Sequence, residues 1–332
     1  LNSFDIINAN LTIENIYETD DFHPKINLFN FSNLHQNIDY IKYNDHKKQK
    51  KFELSKSDIF NFGLIIYSIL TGDLEIKNIK QQNPIINQIQ NKLDSKSQNE
   101  IQPRFKQLIL DCLLINSSTS QHTIENIVYQ LENDESFIDK NVDGKEFFSY
   151  IDYIKDLDID SIKNEYAINV LPVNLSDYQE EEESLIGQGT FSRVCKFKHK
   201  NDNIIYAAKI IGNSDKNKKI EKLVKREISI HSQINHPSIV NFIGYGTKIG
   251  YNEQLVILMK YMKNGTLGSL IKLEREGFKI PFWTDTMKLI NIYGIASAMS
   301  YLHSKNIIYR DLKPINILLD DFLFPQVCDF GL

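Results

Sequence analysis

Five polar side chains between positions 209 and 329 are of types that could hold an anion and a metal ion and move a proton: Lys209, Glu227, Asp311, Asn316 and Asp329. Lys209 lies in Tyr206-Ala207-Ala208-Lys209-Ile210. A lysine flanked by apolar residues is costly to bury unless its charge is paired. Glu227 could hold the amine, since it shares a helical face with Leu223, Val224 and Ile228. The alternative for Glu227 is a rim position on an ordinary amphipathic helix. Further on comes Tyr309-Arg310-Asp311-Leu312-Lys313-Pro314-Ile315-Asn316-Ile317-Leu318, and thirteen residues beyond Asn316 stands Asp329-Phe330-Gly331. An Asp able to accept a hydroxyl proton, an Asn and a second Asp suit the surroundings of bound magnesium.

These groups need elements to position them. Leu185–Lys198 and Asn203–Ile211 read as strands. Between the first strand's start and its end runs Gly187-Gln188-Gly189-Thr190-Phe191-Ser192-Arg193-Val194. Its glycines let the backbone approach phosphate oxygens and aim N–H groups at them. A dinucleotide-binding turn would require a helix directly afterwards; here a strand follows, which disfavours that reading. Lys216–Ile234 has helical spacing, Gln254–Met259 reads as a short buried strand, and Thr286–His303 as a second long helix.

In this order and at these intervals, the motifs resemble the eukaryotic protein kinases. Residues 185–332 are similar to that family's N-lobe and the start of its C-lobe, ending just after Asp-Phe-Gly. The resemblance implies an α+β, protein-kinase-like bilobal fold and the cofactors ATP and Mg2+. It also implies roles. Gly187, Gln188, Gly189, Thr190, Phe191, Ser192 and Val194 would cover the phosphates. Lys209 would contact the α- and β-phosphates and pair with Glu227. Met259 stands at the gatekeeper position, and Lys260, Tyr261 and Met262 would form the hinge that meets adenine. Val194, Ala207 and Leu318 would sandwich the ring. Asp311 would be the catalytic base, and Asn316 and Asp329 would hold magnesium. Lys313, two residues past the base, resembles the serine/threonine and tyrosine-kinase-like groups. Three residues depart from the pattern: Ser192 replaces a third glycine, Tyr309 stands where His is usual, and His231 stands where Leu or Met packs behind the Phe of Asp-Phe-Gly. His231 either weakens the active arrangement or is a satisfied core histidine.

The chain also carries an internal repeat. A shift of 301 positions lays Ile6-Ile7 on Ile307-Ile308, and without a gap Leu11 meets Leu312, Asn15-Ile16 meets Asn316-Ile317, and Asp20, Pro24 and Phe29 meet Asp321, Pro325 and Phe330. Chance matching of Ile- and Asn-rich text is the alternative. A repeat of that length is a domain-sized unit. Three helices are expected in the first part, over 60–70 after Ser57-Asp58, over 105–116 and over 123–132. Asp58, Phe62 and Gly63 resemble the family's central C-lobe helix. The repeat puts Asn10 opposite Asp311, Thr12 opposite Lys313, and Leu28 and Asn30 opposite Asp329 and Gly331. Residues 40–44 and 121–123 also lack the Glu and Arg that the family pairs there. Losing both together is the tolerable route, since removing one would strand a buried charge.

Residues 1–134 are therefore expected to be the C-lobe remnant of a pseudokinase, 135–182 an acidic linker, and 183–332 a truncated kinase N-lobe and C-lobe start. The run Glu180–Glu183 would be a solvated linker end rather than a specific site. Asp139–Gly144 mimics the opening of a calcium loop, but Tyr150 stands where a bidentate Glu is required. The expected function is transfer of phosphate from Mg-ATP to a Ser/Thr hydroxyl of a protein substrate by the intact protein, the fragment itself being inactive. The alternative is an inactive scaffold that binds nucleotide or partner proteins. The two half-domains could also dock on each other as a permuted kinase-like body.

Bulk properties fit this reading. The net charge of -5 argues against nucleic acid as a partner. The longest apolar run, Phe62–Leu70, is far short of the roughly 20 residues that span a bilayer. Three scattered cysteines give neither a disulfide framework nor a zinc spacing, which suggests a reducing, cytoplasmic location.

Overall fold

The computed structural model describes residues 55–74, 82–95, 101–115, 123–157, 172–188, 192–212, 218–248 and 254–330, together with two short strands before them. The chain divides into two compact units, 1–54 and 55–332. In the first, β1 (Ile16–Glu18) and β2 (Pro24–Ile26) pair antiparallel, with Ile16 opposite Ile26.

The second unit begins with a helix over 55–71 (α1), followed by α2 (Gln82–Ser95), α3 (Pro103–Leu113), α4 (Ile124–Asn133) and α5 (Gly144–Asp156). α1 is apolar on most sides, with Phe62, Ile65, Ile66 and Ile69 fully buried, as a central helix must be. Gly63 lets α3 come close: a Cβ there would lie 2.7 Å from the Cys112 Cβ. Thr123 caps α4 by accepting the Asn126 N–H at 3.3 Å.

A five-stranded antiparallel sheet follows, in the order β3-β4-β5-β7-β6. Its strands are β3 (Tyr178–Gln188), β4 (Ser192–His199), β5 (Ile205–Ile211), β6 (Phe242–Lys248) and β7 (Gln254–Lys260). α6 (Lys218–His231) lies between β5 and β6 in the chain. α7 (Leu267–Arg275), α8 (Asp285–Ser304) and the hairpin β8 (Ile317–Leu319)–β9 (Pro325–Val327) complete the unit. This is the expected α+β, protein-kinase-like bilobal fold.

The helical half has one continuous core drawn from both ends of the unit, in which Phe62 and Ile65 of α1 share a cluster with Ile290 and Leu302 of α8. Thus α1, which precedes the sheet in sequence, packs with α8, which follows it, as the docking expectation for these two helices required. Asp58 marks the junction. It does not cap α1 as its place before the apolar run suggests; it lies inside the helix, 1% exposed, with three donors around its carboxylate.

Residues 135–157 and 172–182, within the stretch expected as a linker, form packed elements, and the compact unit runs across the expected boundary at 134. α5 buries Phe147, Tyr150, Ile151 and Ile154, and Asp143 caps it by accepting the N–H groups of Lys145 and Glu146. The second carboxylate of the calcium-like motif is therefore a helix cap. Residues 173–178 cover one face of the sheet, where Val173, Leu175 and Tyr178 pack on Cys195, Ala208 and Leu258. The run Glu180–Glu183 belongs to β3. Its pairing with β4 slips between Glu180 and Leu185, where Glu183 takes φ 53°, and Glu180 accepts the Ser184 hydroxyl at 3.0 Å. An irregular edge strand carrying charge resists pairing with other chains.

Candidate active site

The sheet register assembles the first half of the site. Val194 lies opposite Lys209, and Ala207 opposite Met259. Directly opposed residues share a face, as do residues two apart on one strand. Val194, Ala207, Lys209 and Met259 therefore occupy one face, the one that α6 covers with Val224 and Ile228. The opposite face holds Cys195, Ala208 and Leu258 under residues 173–178.

On that site face the Lys209 Nζ lies 2.6 Å from Glu227 Oε1 and 2.9 Å from Asp329 Oδ1. Glu227 is buried, so the rim alternative is excluded. Burial works against the Lys209 ammonium, but the charges of Glu227 and Asp329 outweigh it and hold its pKa above the usual lysine value. Burial pushes the Glu227 carboxyl up, and Lys209 pulls it part of the way back. A charge with two anionic partners is held in one place rather than free to wander.

The second half is the segment after α8. The Asp311 carboxylate receives the Asn316 Nδ2 at 2.7 Å and the Lys313 Nζ at 2.7 Å, and Asn316 Nδ2 also reaches the Asp311 backbone oxygen at 2.9 Å. The Cys328 N–H donates to the Asn316 carbonyl at 3.0 Å, which brings the residue before Asp329 beside Asn316. Asp329 and Arg310 take φ of 64° and 74°, conformations that non-glycine residues rarely adopt and that concentrate at functional sites.

Asp58 fixes this segment from below. It accepts the Tyr309 N–H at 2.9 Å, the Arg310 N–H at 2.7 Å and the His303 Nε2 at 3.0 Å. A buried carboxylate with this many donors is satisfied. The Tyr309 hydroxyl donates to the Cys328 carbonyl, which ties the start of the segment to the residue before Asp329.

His231 stands behind the site, 1% exposed, between the rings of Phe242 and Phe330 at 5.4 and 4.9 Å. Its Nε2 donates to the Val240 carbonyl at 2.8 Å, while its Nδ1 is buried without a hydrogen-bond partner. Burial pushes its pKa down to about 4. Neutral at ordinary pH, it packs as a core ring, and Tyr309 extends the column on the other side of Phe330 at 5.4 Å.

Of the remaining expected residues, Gly187 pairs with Val194 and Gln188 with Arg193, while Gly189, Thr190, Phe191 and Gly331 lie outside the described residues. Residues 40–44 and Gln121-His122 also lie outside them. Ser192 opens β4. Lys260 ends β7 with its N–H on the Asn241 carbonyl at 3.0 Å, Met262 is buried, and the Lys196 ammonium lies 5.5 Å from the Tyr261 ring centre. Leu318 bridges to Thr266, just before α7. Sequence reasoning placed Asp58 at the central helix but missed it as a ligand of the loop backbone.

Residues 180–332 match the family described as the protein kinase domain. This part of the chain is similar to the protein kinases. The kinase region is 33% identical over 147 residues to an Aurora kinase of Saccharomyces cerevisiae, a match covering 44% of this chain and 38% of that protein. It is 33% identical over 154 residues to the receptor-like kinase LIP1 of Arabidopsis thaliana, covering 46% and 23%. It is 35% identical over 151 residues to the serine/threonine-protein kinase sgk-1 of Caenorhabditis elegans, covering 44% and 30%. The chain thus spans well under half the length of these relatives. Among the described residues, no helix is long and apolar enough to cross a membrane, and Cys112, Cys195 and Cys328 are free thiols.

Proposed function

We propose that the protein to which this chain belongs transfers the γ-phosphoryl group of Mg-ATP to a serine or threonine hydroxyl of a protein substrate. The observation that carries this reading is the convergence of Lys209, Glu227 and Asp329 through contacts of 2.6 and 2.9 Å, from three elements separated in sequence. Lys209 neutralises phosphate charge, and Glu227 keeps its amine in place. Val194, Ala207 and Leu318 would enclose the base, with Met259 at its back and residues 260–262 at its edge. The glycine-rich sequence from Gly187 to Val194 would serve the phosphates.

Asn316 and Asp329 offer one amide and one carboxylate oxygen, the hard donors that magnesium prefers, and the ion's remaining positions suit water and phosphate. When bound, magnesium neutralises charge on the transferring group. Asp311 accepts the substrate hydroxyl's proton, and Lys313, 2.7 Å from it, stabilises the phosphate side of the same space. The catalytic gain comes from positioning and electrostatics rather than covalent chemistry. The residues placed opposite these by the repeat, Asn10 and Leu28, favour a second reading for the first copy alone: a catalytically silent domain.

Radiolabelled phosphate transfer by the full-length protein, compared with Lys209→Ala and Asp311→Asn, tests the proposal. Transfer that both substitutions abolish supports it. Transfer that survives both, or a biological output unchanged by both, assigns the protein to the scaffold class.

A further inference from the structure

Four elements meet at one point on the far side of the site. Gly294 lies in the middle of α8, where glycine weakens a helix, so a packing reason is required. A Cβ at Gly294 would stand 2.5 Å from the Tyr150 hydroxyl, 2.6 Å from Pro325 Cγ and 3.0 Å from Ser238 Oγ. Tyr150 comes from α5, Pro325 from β9, and Ser238 from the segment after α6. The Tyr150 hydroxyl and Ser238 Oγ are hydrogen-bonded at 3.0 Å, and the Tyr150 ring lies 4.6 Å from that of Phe324. α5 is moored on either side of this point: the Asp143 N–H donates to Thr286 Oγ1 at 2.8 Å, and Lys155 pairs at 2.9 Å with Glu132, which accepts the Tyr293 hydroxyl.

Ser238 belongs to a short rail between the two halves of the site. The Val327 N–H donates to the Ser238 carbonyl at 2.8 Å, the Val240 N–H to the Val327 carbonyl at 3.0 Å, and Gln326 Nε2 to the Pro237 carbonyl at 2.7 Å. Val327 is two residues before Asp329. The Val240 carbonyl also accepts His231, at the end of the helix that carries Glu227. A displacement of residues 237–240 would therefore move Asp329 relative to Lys209.

We propose that α5 is a latch on the nucleotide site, with Tyr150 a positioning residue that acts through Ser238 to set the place of Asp329. α5 lies outside residues 180–332, the stretch that matches the kinase family. The latch rests on the reading of Asp329 as a magnesium ligand. Its effect falls chiefly on the metal-dependent part of nucleotide binding, because Asp329 is the group that the rail leads to most directly.

The test is a titration of the chain with ATP, with and without magnesium, for the wild type, Tyr150→Phe, Ser238→Ala and the double variant. Tyr150→Phe keeps the ring and removes only the hydroxyl, so it spares the packing of α5. The expected result is Mg-ATP binding weakened about three- to tenfold by either single change, the scale of one hydrogen bond. The double variant should be no weaker than the singles, as for two ends of one interaction, and metal-free ATP affinity should fall less than Mg-ATP affinity. Hydrogen exchange at the Val240 and Val327 amides should accelerate in Tyr150→Phe. Unchanged Mg-ATP affinity, an equal loss with and without magnesium, or additive singles would overturn the latch. A wild type that binds no Mg-ATP would overturn the kinase reading, and exchange at Val240 and Val327 would then decide the structural coupling alone: unaltered rates remove it, faster rates retain it.

Discussion

Two hairpins 301 residues apart in the chain pair in the same register. Ile16, Tyr17 and Glu18 face Ile26, Lys25 and Pro24, while Ile317, Leu318 and Leu319 face Val327, Gln326 and Pro325. Each first-copy position plus the shift gives the second-copy position, so the backbone is repeated as well as the apolar text. The chemistry is not. Where the second copy has Asp311, Lys313 and Asp329, the first has Asn10, Thr12 and Leu28. The pairing of a hairpin is set by its apolar and turn residues; the proposed activity would depend on charged groups that the pairing does not need. One can be lost while the other persists.

The largest effect should come from exchanging that chemistry. Asp311→Asn in the full-length protein is expected to slow phosphate transfer about 10²- to 10⁴-fold, the contribution of a general base. Installing Asn10→Asp with Leu28→Asp in that variant should restore none of it, as read by steady-state transfer. Recovery would show that the first copy retains a working scaffold for catalysis.

Asp58 is the next lever, because it lies in the helix that precedes the sheet yet holds the loop that follows it. Asp58→Ala removes the acceptor of three buried donors and should cost about 3–5 kcal/mol in denaturant unfolding. Exchange at the Tyr309 and Arg310 amides should rise in parallel. Unchanged exchange there would break the link between the two halves.

The buried histidines supply a pH dependence. Burial holds His231 and His236 at about 4, below the ordinary 6.5. On acidification the unfolded chain takes up protons first, so stability present above pH 6.5 is lost progressively down to about 4. The loss is about 3 kcal/mol for each ring. His231→Leu should remove about half of it, measured as the unfolding midpoint from pH 7 to 4. A smaller effect is expected at Thr123→Ala, about 1 kcal/mol from the lost cap of α4, with nucleotide affinity unaltered.

Much of this architecture was legible from residue order. The Gly-rich turn, Lys209, Glu227, Asp311, Asn316 and Asp329 each sit in a local pattern that a strand or helix explains, and the fold brings Lys209, Glu227 and Asp329 together. The docking of α1 with α8 was readable as two apolar helices each needing a partner. α5 was not recognised, although Phe147, Tyr150, Ile151 and Ile154 carry helical spacing, because acidic residues surround them and composition outweighed period. α2 was missed for a similar reason: Ile85, Ile89 and Leu93 recur every fourth residue inside Asn- and Gln-rich text. Asp58 was legible both as a cap and as the Asp of a central helix, but its partners were not, since nothing in a helix start distinguishes a carboxylate that caps its own helix from one that reaches a distant backbone. That difference exists only after folding.

Calorimetric titration of the chain with Mg-ATP tests the central claim most directly. The account predicts a single magnesium-dependent site, with a dissociation constant on the order of a millimolar or tighter, lost or weakened at least tenfold by Lys209→Ala and by Asp329→Asn. Binding that is missing at those concentrations, or that neither substitution disturbs, would contradict it.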